Sequence, residues 1–343
     1  VAEPSTKDKA WIMFDRILAD AAPDGDHTSP WHLVNENREY GADLVTLERL
    51  LGVPLALKAT VTSGVPALAL DVWLSYELRR AGFAPDATWP RGTHPRIIPR
   101  PVLNLLESLP RRDRAAIQER LERKSSIKGV TQASASILGK NYLKQVDVIM
   151  TDWATGPEVL ISTKRMDSSY GKNAPNRIEE SYGDAKNLRQ RHPLAALGFV
   201  MGLRSDILIK DPLTFDWLVD LVGKLGQEDD AYHATCLLLI EYGAEIVVDE
   251  NDVEAPAELI TTPGADPGED DAVDELESIP EDEIAARLAT LPTVRVLTGG
   301  EVPSPLDPSS FLATIVNRTL DGTPITMHRQ ARARRKNPVQ PTQ

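Results

Sequence analysis

Two neighbouring stretches hold the residue types that chemistry on a phosphate requires. In "NYLKQVDVIMTD", residues 141–152, Asp147 sits among Val146, Val148, Ile149 and Met150. In "PEVLISTKRM", residues 157–166, strand alternation puts Glu158, Leu160, Ser162 and Lys164 on one face and Val159, Ile161 and Thr163 on the other. Burying a carboxylate is costly unless a metal or a cation compensates it. An acid and a lysine on adjacent strands can compensate each other, so a plain ion pair is the competing explanation. The chemical explanation is metal-assisted phosphodiester hydrolysis. Asp147, a second carboxylate and a backbone carbonyl near Thr163 would hold Mg²⁺, a cation that prefers oxygen ligands. The ion and Lys164 would activate water and stabilise the pentavalent phosphate.

These residues resemble the PD-(D/E)xK nucleases, the superfamily of type II restriction endonucleases. The resemblance implies a core of one helix, strands bearing the Asp and the (D/E)xK, a second helix and a further strand, and this order runs from about residue 64 to 204. It assigns the Asp to Asp147 and the Lys to Lys164, and it suggests a role for Glu77 in "LSYELRRAGF" as the acid of the leading helix. At position 162 the pattern calls for an acid and this chain has Ser162. The branch that cuts sites with a CCGG core is similar in having SxK, with the missing carboxylate delivered from the next helix. Glu179 and Glu180 follow Lys164 by 15 and 16 residues. Glu179 borders the apolar stripe of Ile178, Tyr182 and Ala185 and is the expected ligand, with Glu180 as the alternative. The polar run between them offers Arg165, Lys172, Asn173, Asn176 and Arg177 for phosphates and base edges. Gly171, Pro175 and Asn176 also read as an ordinary surface loop.

The elements that must position these residues follow from periodicity. Residues 7 to 140 read as mainly helical, with apolar repeats in "KDKAWIMFDRILADAA", "ADLVTLERLLGVPLAL" and "VPALALDVWLSYELRRAGF". "PDATWPRGTHPRIIPRP" is too proline-rich for a helix or a central strand. The two stretches above read as antiparallel strands around the turn "WATG", "PNRIEESYGDAKNLRQR" as an amphipathic helix and "PLAALGFVMGLRS" as a buried strand. "DPLTFDWLVDLVGKLG" and "DDAYHATCLLLIEYGA" read as covering helices. The expected fold class is α/β: a restriction-endonuclease-like core, a mixed β-sheet flanked by helices, with a helical N-terminal region. The expected divisions are a helical region 1–63, a core with its covering helices 64–248, an acidic linker 249–283, and a C-terminal segment 284–343 ending in a basic, mobile tail.

Charge distribution supports a phosphate partner where the total does not. The 343 residues carry a formal charge of −13, yet residues 245 to 283 alone hold 16 Asp or Glu and no Lys or Arg. From Asp86 to Arg191 there are 19 Lys or Arg against 12 acids, and this interval contains the candidate site. A local basic field is what a nucleic acid senses, although solvated helix faces would give the same count. The six histidines lack metal-ligand spacing, and no GxxxxGK[ST], GxGxxG or GxSxG occurs, so no zinc site, nucleotide cofactor or serine-hydrolase elbow is expected. Trp73, Trp89, Trp153 and Trp217 are scattered, as core or interface residues would be. Cys236, the single cysteine, has apolar neighbours and no disulfide partner. The N-terminal residues lack a basic-then-apolar leader and no apolar run is long enough to span a bilayer, so a cytoplasmic protein with no membrane partner is expected.

Together these readings predict a Mg²⁺-dependent endonuclease on double-stranded DNA. A homodimer is expected, since cutting two strands takes two sites. The alternatives are a degenerate DNA-binding or assembly subunit on the same fold, with Ser162 as its mark, and an interaction protein working through its acidic segment and basic tail.

Overall fold

The computed structural model describes residues 5–123, 135–227, 229, 231–243 and 280–339. The chain opens with helix α1 (Thr6–Ala21), held at its start by a reciprocal cap between Ser5 and Asp8. A hairpin of β1 (Trp31–Val34) and β2 (Asn37–Tyr40) follows, inside the interval that reads as mainly helical. Its turn residues Asn35 and Glu36 both have positive φ, a turn that flanking hydrophobic periodicity does not reveal. Helices α2 (Leu44–Ala56) and α3 (Val65–Arg80) come next. α3 is buried on nearly every side, so its polar residues Asp71, Glu77, Arg79 and Arg80 must all find partners inside the protein.

The proline-rich connection contributes a two-residue strand, β3 (Thr88–Trp89), before helices α4 (Arg100–Ser108) and α5 (Arg111–Arg123). The predicted strand "NYLKQVDVIMTD" is divided. Residues β5 (Leu143–Gln145) pair with β4 (Ser136–Leu138) in a separate hairpin, and β6 (Val148–Asp152) joins the main sheet. Asp147 occupies the joint between β5 and β6. Then follow β7 (Gly156–Met166), α6 (Tyr170–Arg191), β8 (Ala196–Arg204), the single turn α7 (Ile207–Lys210), α8 (Pro212–Leu225) and β9 (Ala234–Tyr242). After the interval 244–279, which lies outside the described residues together with most of the expected acidic linker, come α9 (Glu281–Ala289), β10 (Val294–Leu297), α10 (Pro308–Asp321) and α11 (Arg329–Lys336).

The main sheet has six strands in the order β10-β9-β8-β7-β6-β3. β6 and β7 form an antiparallel hairpin, while β7, β8 and β9 run parallel through the crossovers α6 and α8. Helices α1, α2, α3 and α10 cover one face, where Val148, Val159, Ile161, Val200 and Leu238 meet Trp73 and Phe311. Helices α6 and α8 cover the other, where Leu160, Leu197, Phe199 and Leu237 meet Ile178, Leu188, Phe215 and Leu218. The result is an α/β protein with a mixed sheet between two helical layers.

Three predicted elements differ. "HATCLLLIEY" is strand β9 and not a helix; buried on both faces, it sends Cys236, Leu238 and Ile240 to one core and Leu237 and Leu239 to the other. A short, wholly apolar run has no periodicity by which to tell strand from helix. The basic tail is not mobile over residues 329–336. It forms α11, whose Ala331 backbone rests directly on Gly82, with no room for a Cβ at that glycine. Third, the C-terminal segment completes the sheet, because β10 pairs with β9 and α10 packs on β8 and β9. Among the described residues no helix is long and apolar enough to cross a membrane.

Candidate functional site

The site lies where β7 ends. β7 is parallel to β8 and antiparallel to β6, so the start of β6 and the end of β7 fall at one edge of the sheet. Asp147 is thereby brought to Thr163, whose backbone N–H donates to Asp147 Oδ2 at 2.7 Å. The expected alternation holds: Thr163 turns toward α3, and its hydroxyl donates to Asp71 Oδ1 at 2.6 Å. Lys164 turns the other way, toward α6, and its Nζ donates to Glu180 Oε1 at 3.1 Å. Asp147 and Lys164 therefore lie on either side of Thr163, and Lys164 makes an ion pair with the helix through Glu180.

Of the two glutamates, Glu180 is the one that faces the lysine, and Glu179 is exposed to solvent. Glu180, the alternative to Glu179, is thus the glutamate that the fold brings to Lys164. Glu180 also accepts from Lys144 Nζ at 3.3 Å through Oε1 and from Arg177 at 3.3 Å through Oε2. Lys144 in turn sits 2.6 Å from Asp184 Oδ2, and the Tyr142 hydroxyl donates to Asp184 Oδ1. Burial pushes the Glu180 pKa up, but Lys164 and Lys144 outweigh it and hold the carboxyl below its ordinary value of 4.5. Burial also works against the Lys144 charge, yet Asp184 and Glu180 leave its pKa above the usual lysine value. Asp184 shares its cation with Glu180, and burial, with Glu180's charge beside it, moves its carboxyl upward.

Ser162 is buried near Tyr232, whose phenol donates to the Ser181 carbonyl under α6. Glu77 does not reach this edge of the sheet. It is fully buried near the far end of α3, bound by Arg80 at 2.7 Å, by the Asp43 backbone N–H at 2.7 Å and by the Tyr40 hydroxyl at 3.0 Å. The α3 acid that does reach the site is Asp71, six residues, or nearly two helical turns, earlier.

The predicted DNA-contact residues divide. α6 starts at Tyr170, several residues before its predicted start, so Lys172, Asn173 and Asn176 stand on its first turns, with Lys172 and Asn176 exposed and Asn173 partly so. Arg165 is buried, paired with Asp167 at 2.9 Å and bonded to the Pro66 carbonyl. Arg177 is buried against Glu180. Neither arginine is presented to a ligand, because each is consumed by a carboxylate inside the fold. Lys144 and Asp184 escaped the sequence reading. Lys144 looked like one residue of a polar strand start, and only the β4–β5 hairpin folding onto α6 carries it inward.

Among the described residues no group of three or more His, Cys, Asp or Glu stands together as a metal cage. Mg²⁺ keeps much of its water shell and usually takes only one or two carboxylates beside substrate phosphate, a requirement that Asp147 and Glu180 can meet. Cys236 is buried, and burial raises its thiol pKa well above the ordinary value, the opposite of a nucleophile's environment. No protein-family model matches the chain, and no curated protein and no solved structure is similar to it.

Proposed function

We propose that this chain is a Mg²⁺-dependent endonuclease of the restriction type that hydrolyses double-stranded DNA in the cytoplasm as a two-fold dimer. The observation that carries the reading is the meeting of Lys164 with Glu180 beside the Thr163–Asp147 contact, with Glu180 supplied by the crossover helix. The element order α3, β6, β7, α6, β8 is the order that the PD-(D/E)xK resemblance implies. A bound Mg²⁺ would supply a Lewis acid for the phosphate and lower the pKa of the attacking water. Asp147 and Glu180 would contribute its carboxylate oxygens. Lys164 Nζ, released from Glu180, would donate a hydrogen bond to a non-bridging phosphate oxygen as the water oxygen bonds to phosphorus and one P–O ester bond breaks, the water's proton passing to solvent and the leaving oxyanion taking one from solvent. Lys172, Asn173 and Asn176 would meet the DNA from the start of α6.

Incubation of supercoiled plasmid with the protein and Mg²⁺ tests the reading: cleavage is expected, and Asp147→Ala or Lys164→Ala should abolish it. Undiminished cleavage by either variant overturns the assignment. A second reading is favoured by Ser162, a buried hydroxyl where the family pattern has an acid. On that reading the fold binds DNA without cutting it. Salt-dependent DNA binding with no cleavage under Mg²⁺ or Mn²⁺ would establish it.

A further inference from the structure

Lys144 has no counterpart among the residues that the sequence marks for catalysis, yet it is buried in the same cluster as Lys164. It reaches there because α6 clamps the β4–β5 hairpin at several points. Asn187 Oδ1 accepts from the Asn141 backbone N–H at 2.8 Å, and its Nδ2 donates to the Tyr142 carbonyl at 3.2 Å. The Asn187 carbonyl accepts from the Lys140 N–H at 2.8 Å, and His192 Nε2 lies 2.9 Å from the Leu138 carbonyl. Gly139 permits this approach: a Cβ there would lie 2.1 Å from Asn187 Nδ2. The hairpin is fixed to the same helix that carries Glu180 and Asp184, so Lys144 is held between those two carboxylates, at 3.3 Å and 2.6 Å.

We infer that Lys144 is a positioning residue that acts as an internal counter-cation for Glu180, occupying the carboxylate until a divalent ion arrives and then withdrawing fully to Asp184. The inference rests on the nuclease reading of Glu180. Its physical basis is that Glu180 faces three cations, Lys144, Lys164 and Arg177, so a dication enters against their combined field. Of these, Lys144 already has its shorter contact to a second acid on the same helix. It can release Glu180 without becoming an unpaired buried charge. Asp184 therefore sets how firmly Lys144 opposes the metal.

The consequence is a pair of opposite effects on metal affinity, measurable without DNA. Isothermal titration of Mg²⁺, and separately of Mn²⁺, into the full chain is the assay. Asp184→Asn leaves Lys144 with Glu180 as its nearest carboxylate and should weaken metal binding severalfold. The double variant Lys144→Met, Asp184→Asn removes the pair together, strands neither charge, and should bind the ion at least tenfold more tightly than the parent chain. Circular dichroism melts establish that both variants are folded; if the double variant does not fold, Lys144→Gln in the parent background replaces it with the same expected sign. Parent binding that is lost in Glu180→Gln but unchanged in the double variant overturns the role of Lys144 alone. Binding that survives Glu180→Gln together with Asp147→Asn, or that is absent from the parent and the pair-deleted variant alike, overturns the nuclease reading and this inference with it.

Discussion

Glu180→Gln is the most informative single substitution, because its consequences for stability and for activity can both be worked from the geometry. The change keeps the size of the side chain and removes the charge that Lys164, Lys144 and Arg177 share at 3.1, 3.3 and 3.3 Å. Stranding one member of a buried ion pair costs about 3–5 kcal/mol. Two features reduce that figure. Lys144 retains Asp184, and the Glu180 side chain is 24% exposed, so water screens part of the loss. The expected cost is about 1–3 kcal/mol, arising chiefly at Lys164, whose side chain is only 12% exposed. The pH dependence has a definite sign. Glu180's folded pKa lies below its ordinary 4.5, so its stabilisation is present above that pH and disappears as the pH falls through the lower folded value. Urea denaturation at pH 7 should therefore separate the parent from Glu180→Gln, and the gap should close under acid conditions. On the proposed nuclease reading, plasmid cleavage should fall on the order of 100-fold or more with the loss of this charge. Glu179→Gln, on the exposed side of α6, should change stability by less than about 0.5 kcal/mol and leave cleavage intact. If Glu179→Gln is the inactive variant, or if the two are indistinguishable, the pairing of Lys164 with Glu180 is not the functional one.

Three further outcomes follow from the same structure. Glu77→Gln should destabilise the fold by about 3–5 kcal/mol, because Arg80 is left buried without its carboxylate, while folded molecules keep normal cleavage; Asp71→Asn should do the reverse, and denaturation melts beside cleavage assays compare them. Lys172→Ala should lower the slope of log affinity against log salt by about one without altering the melt, whereas Arg165→Ala should unfold the protein before it affects DNA binding; filter binding across a salt series distinguishes them. His233 Nδ1 accepts the Leu197 N–H, and burial followed by Arg189 and Arg318 lowers its pKa to about 4, so this contribution is full above the ordinary 6.5 and lost as the pH falls toward 4. For a half-buried ring the loss is on the order of 1 kcal/mol, and urea midpoints between pH 7 and 5 should fall in the parent but less in His233→Asn.

Much of the scaffold was legible because the signals were local. α1, α2, α3 and α8 follow from apolar spacing and their stops, and the β6–β7 hairpin from the strand-like runs on either side of "WATG". What could not be read was set by the assembled fold. β9 lacks any polar residue in the run Cys236 to Ile240 that would reveal a period, and its identity depends on β8 lying beside it. α11, with its high density of arginine, resembles a solvated tail. It is retained because Arg332 donates to the Leu320, Thr323 and Met327 carbonyls at the end of α10 while Ala331 packs on Gly82. Gly82 lies far away in the chain, so no local pattern marks the place where this segment docks.

That Glu180 and not Glu179 faces Lys164 has a more specific cause. Counting only Ile178, Tyr182 and Ala185 centres the buried face of α6 on their side, which places Glu179 at its border and Glu180 opposite. The face that is buried also includes the apolar Tyr170, Ala174 and Leu188 and the polar Arg177, Ser181, Asp184 and Asn187. At about 100° per residue these move its centre to the neighbourhood of Ser181, from which Glu180 is roughly 100° away and Glu179 roughly 160°. Most of that shift comes from apolar residues that the three-residue count leaves out; the buried polar residues grip the β4–β5 hairpin and broaden the same face toward Glu180. The dense polar run of α6, which argued for a loop and an exposed reading surface, is more consistently understood as a helix whose inner face is built from charges that satisfy one another.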